Sequence, residues 1–128
     1  MSHLLPVLFG FMIDFPCEMT PVAPEEYPTA EEMLVAAAFV GATSYPTVAV
    51  VPGECMTEEG FVAEGLYYPG YSLMILAEGW RERNEGITIL VHEMQHHQDD
   101  VSGAQMSECH AYDAGARFAY ETGAYERW

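Results

Sequence analysis

The chain has 128 residues, with 20 acidic side chains against 4 basic ones and a formal net charge of −16. So negative a body repels phosphate backbones, which argues against any nucleic-acid partner, and 50% hydrophobic residues argue against disorder. The length fits one domain over residues 1–128, and no apolar run is long enough to span a bilayer, so no membrane partner is expected.

The first apolar run, Leu4 to Ile13, has the length of a secretory h-region but neither a positive flank nor an obvious small-residue cleavage site. It reads as a buried strand or packing segment of a cytoplasmic protein, with export left open. Pro16 to Pro28 is a proline-rich, acidic connection. Thr29 and Glu32 then form a capping box, which opens a helix that Gly41 should close. Met33, Leu34, Ala37, Ala38 and Val40 are its expected core residues.

Thr47–Val51, bounded by Pro46 and Pro52, reads as a short buried strand. Phe61–Tyr68 and Tyr71–Ala77, separated by Pro69-Gly70, suggest a β-hairpin, with Gly65 a candidate bulge. Trp80 either walls a cleft or plugs the core. Cys17, Cys55 and Cys109 lack the C-x-x-C spacing of a metal site. A Cys17–Cys55 bridge competes with free buried thiols in a reducing compartment, and free thiols are the expectation.

The chemistry concentrates after residue 86. His92-Glu93-Met94-Gln95-His96 places two imidazoles on one helical face, with a carboxylate one step round. Metal-assisted hydrolysis needs these groups: two neutral nitrogen ligands, an open position, and a carboxylate that takes a proton from water. Ile87, Leu90, Val91 and Met94 make an apolar stripe, opposite Ile89, His92, Glu93, His96 and Asp100. The bland alternative is that this second set is a solvated face.

Asp99 to Gly103 reads as a break, followed by a helix over residues 104–122 that ends near Gly123. Folding the two helices back about Ser102 sets His96 opposite Glu108 and His92 opposite Tyr112. Glu108 is therefore the expected third ligand. Its rivals, His110 and Cys109, point roughly 200° and 100° away from it at 100° per residue. Ala111, Gly115 and Ala119 would let the helices approach closely. Tyr112 is a candidate catalytic residue as an oxyanion donor or a partner to a ligand histidine, with a packed tyrosine equally open. Asp113 could orient a ligand, though a solvated aspartate is the simpler expectation.

A His-Glu-x-x-His helix followed by a glutamate on the next helix resembles the gluzincin metallopeptidases. More narrowly, Glu108-Cys109-His110-Ala111-Tyr112 is similar to an element of small bacterial and phage metallopeptidase-like proteins, over residues 66–122. The resemblance implies zinc (Zn2+) on His92, His96 and Glu108, Glu93 as general base, and a peptide or protein substrate. It also makes Leu73–Leu76 a candidate substrate edge, with a wholly structural strand equally open. Tyr112 stands where many gluzincins carry an aspartate, and Gln98 where the extended pattern is usually apolar.

The expected fold is α+β, a minimal zincin-like domain: a small, mainly antiparallel sheet, an active-site helix and a following ligand-bearing helix. The expected function is zinc-dependent peptide-bond hydrolysis. Two other classes compete with it. One is a non-catalytic, metal-stapled binding or virion-associated protein; the other is an acidic inhibitor or nucleic-acid mimic. The sequence carries no signal of oligomeric state.

Overall fold

The computed structural model describes residues 3–6, 12–15, 21–58, 61–83 and 86–123. Its elements run β1 (His3–Pro6), β2 (Met12–Phe15), α1 (Ala30–Val40), β3 (Thr47–Val51), β4 (Thr57–Glu58), β5 (Phe61–Val62), β6 (Gly65–Tyr68), β7 (Leu73–Ala77), α2 (Ile87–Ser102) and α3 (Glu108–Thr122). The architecture is α+β.

Local signals set α1. Thr29 Oγ1 accepts the Glu32 N–H at 3.1 Å, and Glu32 Oε1 accepts the Thr29 N–H at 2.7 Å. Gly41 closes the helix in the left-handed region at φ 76°, where a side chain would be strained. The buried positions are Met33, Ala36 and Ala37. Leu34 and Ala38, expected inside, face outward. In a helix this rich in alanine, the packing register follows the partner surface more than the helix's own pattern.

The central sheet has the order β3-β7-β6, and it is mixed. β3 pairs with β7 in parallel, Thr47 with Leu73 through Val51 with Ala77, whereas β6 and β7 form the antiparallel hairpin around Pro69-Gly70. β1 with β2 and β4 with β5 are separate antiparallel pairs. Among the described residues three of the four strand pairings are antiparallel, while the central sheet itself has one of each, so it is mixed where a mainly antiparallel sheet was expected. Residues 61 and 62 leave the expected hairpin to pair with β4. Residues 7–11, in the middle of the first apolar run, lie outside the described residues.

β7 is buried along its whole length, and its alternation divides two cores. Met74 and Leu76 join α1, α2 and α3 through Ala36, Leu90, Val91, Met94 and Phe118. Leu73, Ile75 and Ala77 pack with Val51, Cys55 and Met56 on the other face. Because β7 is central, Leu73–Leu76 is not a sheet edge; β3 and β6 are the outer strands. Trp80 is fully buried in the main core, and its Nε1 donates to the Glu26 carbonyl at 2.6 Å. It is a plug and does not line the cleft.

α2 is the hub, in contact with α1, α3, β6 and β7. Every residue from Thr88 to His97 is buried, the histidine face included. α2 runs to Ser102 and ends at Gly103, with φ 76°. The second helix starts at Glu108, four residues later than expected, with Ser107 as N-cap. Gly115 eases the α2–α3 approach, since a Cβ there would sit 3.3 Å from the Thr88 carbonyl oxygen, tighter than an ordinary contact.

Candidate metal centre

His92 and His96, one turn apart on α2, aim their Nε2 atoms at one carboxylate. His92 Nε2 lies 3.3 Å from Glu108 Oε2, and His96 Nε2 lies 2.8 Å from Glu108 Oε1. Glu93 stands to the side, its Oε2 3.9 Å from His92 Nε2. The donor atoms of His92, Glu93 and His96 lie within 4.8 Å of one another and form a candidate metal site. Their exposures are 6%, 2% and 4%, which contradicts the solvated-face reading. Glu108, at the start of α3, is the exposed member, with 67% of its side chain accessible.

These groups floor a cleft of about 600 Å³, walled by Gly65, Leu66 and Tyr67 of β6, Met106 of the helix connection and Tyr112 of α3. Two wall residues act directly on the floor. A Cβ at Gly65 would lie 3.0 Å from both Cγ and Oε2 of Glu93, so the glutamate packs against bare β6 backbone. The Tyr67 ring stacks beside His96, centroids 6.4 Å apart. The sequence carries no local signal for either role; Gly65 is there only a glycine inside a strand pattern.

Behind the floor, Tyr67 ties three segments together. Its hydroxyl donates to Asp100 Oδ2 at 2.8 Å, and the Gly70 N–H donates to the same oxygen at 3.1 Å. With the phenol proton so used, the 3.1 Å contact to His97 Nδ1 is one in which His97 donates. His97 Nε2 is hydrogen-bonded to Ser44 Oγ at 3.0 Å. Burial, then the Asp100 hydrogen bond, raises the Tyr67 hydroxyl far above the ordinary phenol range, so it stays protonated.

Burial also governs the ionisation of the floor. It pushes the Glu93 carboxyl up to about 8, with the charge of Glu108 adding to the effect. It holds His92 below the ordinary imidazole range, with His96 contributing in the same direction and Glu108 opposing. A neutral imidazole is the form that ligates a metal. A divalent cation at the histidines would favour the ionised form of Glu93.

Two imidazoles and carboxylates are donors that a divalent cation such as zinc accepts. Tetrahedral donors about 2.0–2.1 Å from zinc stand roughly 3.4 Å apart, close to the 3.3 Å from His92 Nε2 to Glu108 Oε2, whereas His96 Nε2 and Glu108 Oε1, at 2.8 Å, are at hydrogen-bond distance. One feature runs the other way. His96 Nδ1 is buried with no hydrogen-bond partner among the described residues, whereas a ligating imidazole usually donates from its second nitrogen.

Tyr112 sets its ring edge against His92, centroids 4.5 Å apart, and is 60% exposed at the cleft. His110 turns to Asp99, with Nδ1 3.0 Å from Oδ2. Asp113 pairs with Arg117 at 3.0 Å on the surface. Cys109 is an exposed free thiol, while Cys55 is disulfide-bonded, contrary to the expectation of free thiols there. Cys17 lies outside the described residues.

No family model, curated protein or solved structure matches the chain.

Proposed function

We propose that the protein is a zinc-dependent peptidase of the gluzincin type, with His92, His96 and Glu108 as metal ligands and Glu93 as general base. The observation that carries this reading is the Glu108 carboxylate, 3.3 and 2.8 Å from the two Nε2 atoms, with Glu93 buried alongside. When bound there, zinc supplies Lewis-acid activation of a water and of the scissile carbonyl. Glu93 accepts the proton of the attacking water and returns it to the leaving amine. Tyr112, at the cleft beside His92, is the residue we assign as oxyanion donor. An extended peptide adds its main chain to β6, the outer strand that walls the cleft.

The competing staple needs a fourth protein ligand. His110 is engaged with Asp99 and Asp113 with Arg117, while the Cys109 thiol is exposed. Those placements favour a site with an open position, as does the cleft above it. The disulfide at Cys55 favours an oxidising compartment over the cytoplasm. None of the described helices is long and apolar enough to cross a membrane.

Glu93→Gln tests the assignment. It keeps the side-chain shape and removes the base, so the variant should bind one equivalent of zinc, melt like the wild type and lose turnover on a peptide library by at least a hundredfold. A variant that cleaves as well as the wild type, or a zinc-loaded wild type that cleaves nothing, refutes the peptidase reading.

A further inference from the structure

Glu108 is the first residue of α3, and most of its side chain is in solvent. Its carboxylate therefore goes wherever the first turn of α3 goes, and little packing around the side chain itself holds it over the two histidines. What anchors that turn is a polar cluster one helical turn beyond His96. Asp99, on α2, is 3% exposed. Its Oδ1 accepts from Gln95 Nε2 at 3.0 Å, and its Oδ2 lies 3.0 Å from His110 Nδ1. An ionised carboxylate only accepts, so His110 Nδ1 carries the proton and donates.

The backbone converges on the same residue. The Asp99 carbonyl accepts from Ala104 N at 2.9 Å and from Ser102 Oγ at 3.3 Å, which folds the chain out of α2. At the other end of the connection, Ser107 Oγ accepts the His110 N–H at 3.3 Å. His110 is thus held both by its backbone, to the cap of α3, and by its ring, to α2. A buried carboxylate costs stability unless it is paired, and an apolar residue would cover the position more cheaply. The return from Asp99 is fixed geometry between the two helices that carry the candidate ligands.

We infer that Gln95, Asp99 and His110 form a clamp that positions Glu108 over His92 and His96, and so sets metal affinity with none of its atoms at the metal site. This rests on Glu108 being a ligand, as proposed above. His110 and Asp99 are positioning residues, since they act through Glu108.

The test is zinc affinity, measured by competition with a chromophoric chelator, together with the melting temperature of the metal-free protein. His110→Ala, at a half-exposed side chain, should weaken zinc binding about tenfold, the low end for loss of a supporting partner, and should lower the metal-free melting temperature modestly, because buried Asp99 keeps Gln95 but loses its ring donor. His110→Asn places an amide N–H where Nδ1–H was and should recover most of the affinity. In a Glu108→Ala background, His110→Ala should cause no further loss, because the residue it positions is gone. A His110→Ala variant that binds zinc like the wild type overturns the clamp, as does an equal loss in the Glu108→Ala background or no recovery in His110→Asn. A wild type that takes up no zinc instead overturns the metal-site reading, and the clamp with it.

Discussion

Gly65→Ala makes the sharpest use of the cleft geometry. The new Cβ would meet Glu93 Cγ and Oε2 at 3.0 Å and Cδ at 3.3 Å, where ordinary contact begins at 3.4 Å. The backbone of residue 65 is outside the left-handed region, so alanine is allowed there and stiffens the unfolded chain, worth about 0.4–1 kcal/mol in favour of folding. Overpacking opposes this by about 1–3 kcal/mol, because Glu93 is 2% exposed and has little room to retreat. The net expectation is a loss of about 1 kcal/mol. The effect on chemistry is larger. Relief of the contact moves the Glu93 carboxylate by roughly half an ångström, and since a 1 Å misplacement can cost about a hundredfold, kcat should fall about tenfold. The ligands are untouched, so zinc content and affinity should match the wild type. Steady-state hydrolysis of a peptide substrate, zinc stoichiometry and a thermal melt decide the matter. A Gly65→Ala enzyme with wild-type kcat would show that Glu93 is not the base or that its position is not held by β6.

Two further outcomes concern the frame. Tyr67→Phe removes the acceptor of the His97 Nδ1–H and a donor to Asp100, and should lower unfolding free energy by about 1–3 kcal/mol in denaturant titrations; an unchanged midpoint contradicts the network. Arg81 grips both oxygens of Glu32, at 2.9 and 2.7 Å, and the Tyr27 carbonyl at 2.8 Å. Its hydrogen bonds hold the Glu32 carboxyl below its ordinary value of 4.5, against the opposing effect of burial. A depressed folded-state value means that this stabilisation is complete above pH 4.5 and disappears as pH falls through the lower folded value. Arg81→Ala should therefore be less stable than the wild type at pH 7, with the gap closing as the pH is lowered below 4.5. Melting curves between pH 7 and 3 test this, and a gap independent of pH refutes it.

Which of these features are legible in the sequence follows from the range of the interactions involved. The cap of α1 is legible because Thr29 and Glu32 are neighbours in sequence, and Gly41 and Gly123 mark helix ends for a purely local reason, their left-handed φ. The meeting of His96 with Glu108, and of His92 with Tyr112, is legible because a helix hairpin places residues symmetrically about its loop. The parallel pairing of β3 with β7 is not, since it joins strands with other elements between them and leaves no local trace in either. Nor is the approach of Gly65 to Glu93 or the bond from His110 to Asp99, each of which depends on how elements settle in three dimensions. The solvated-face alternative for the histidine side of α2 fails for a related reason. Polar residues on one face signal water only when nothing covers that face, and here β6 and α3 do.

The central claim is that His92, His96 and Glu108 converge on one cation, and anomalous diffraction from zinc-loaded crystals tests it most directly. The account predicts a single strong peak about 2.0–2.2 Å from His92 Nε2, His96 Nε2 and a Glu108 carboxylate oxygen, with a non-protein ligand at the fourth position. A peak bound by a different set of residues, a sphere closed by a fourth side chain, or no peak at these histidines would contradict it.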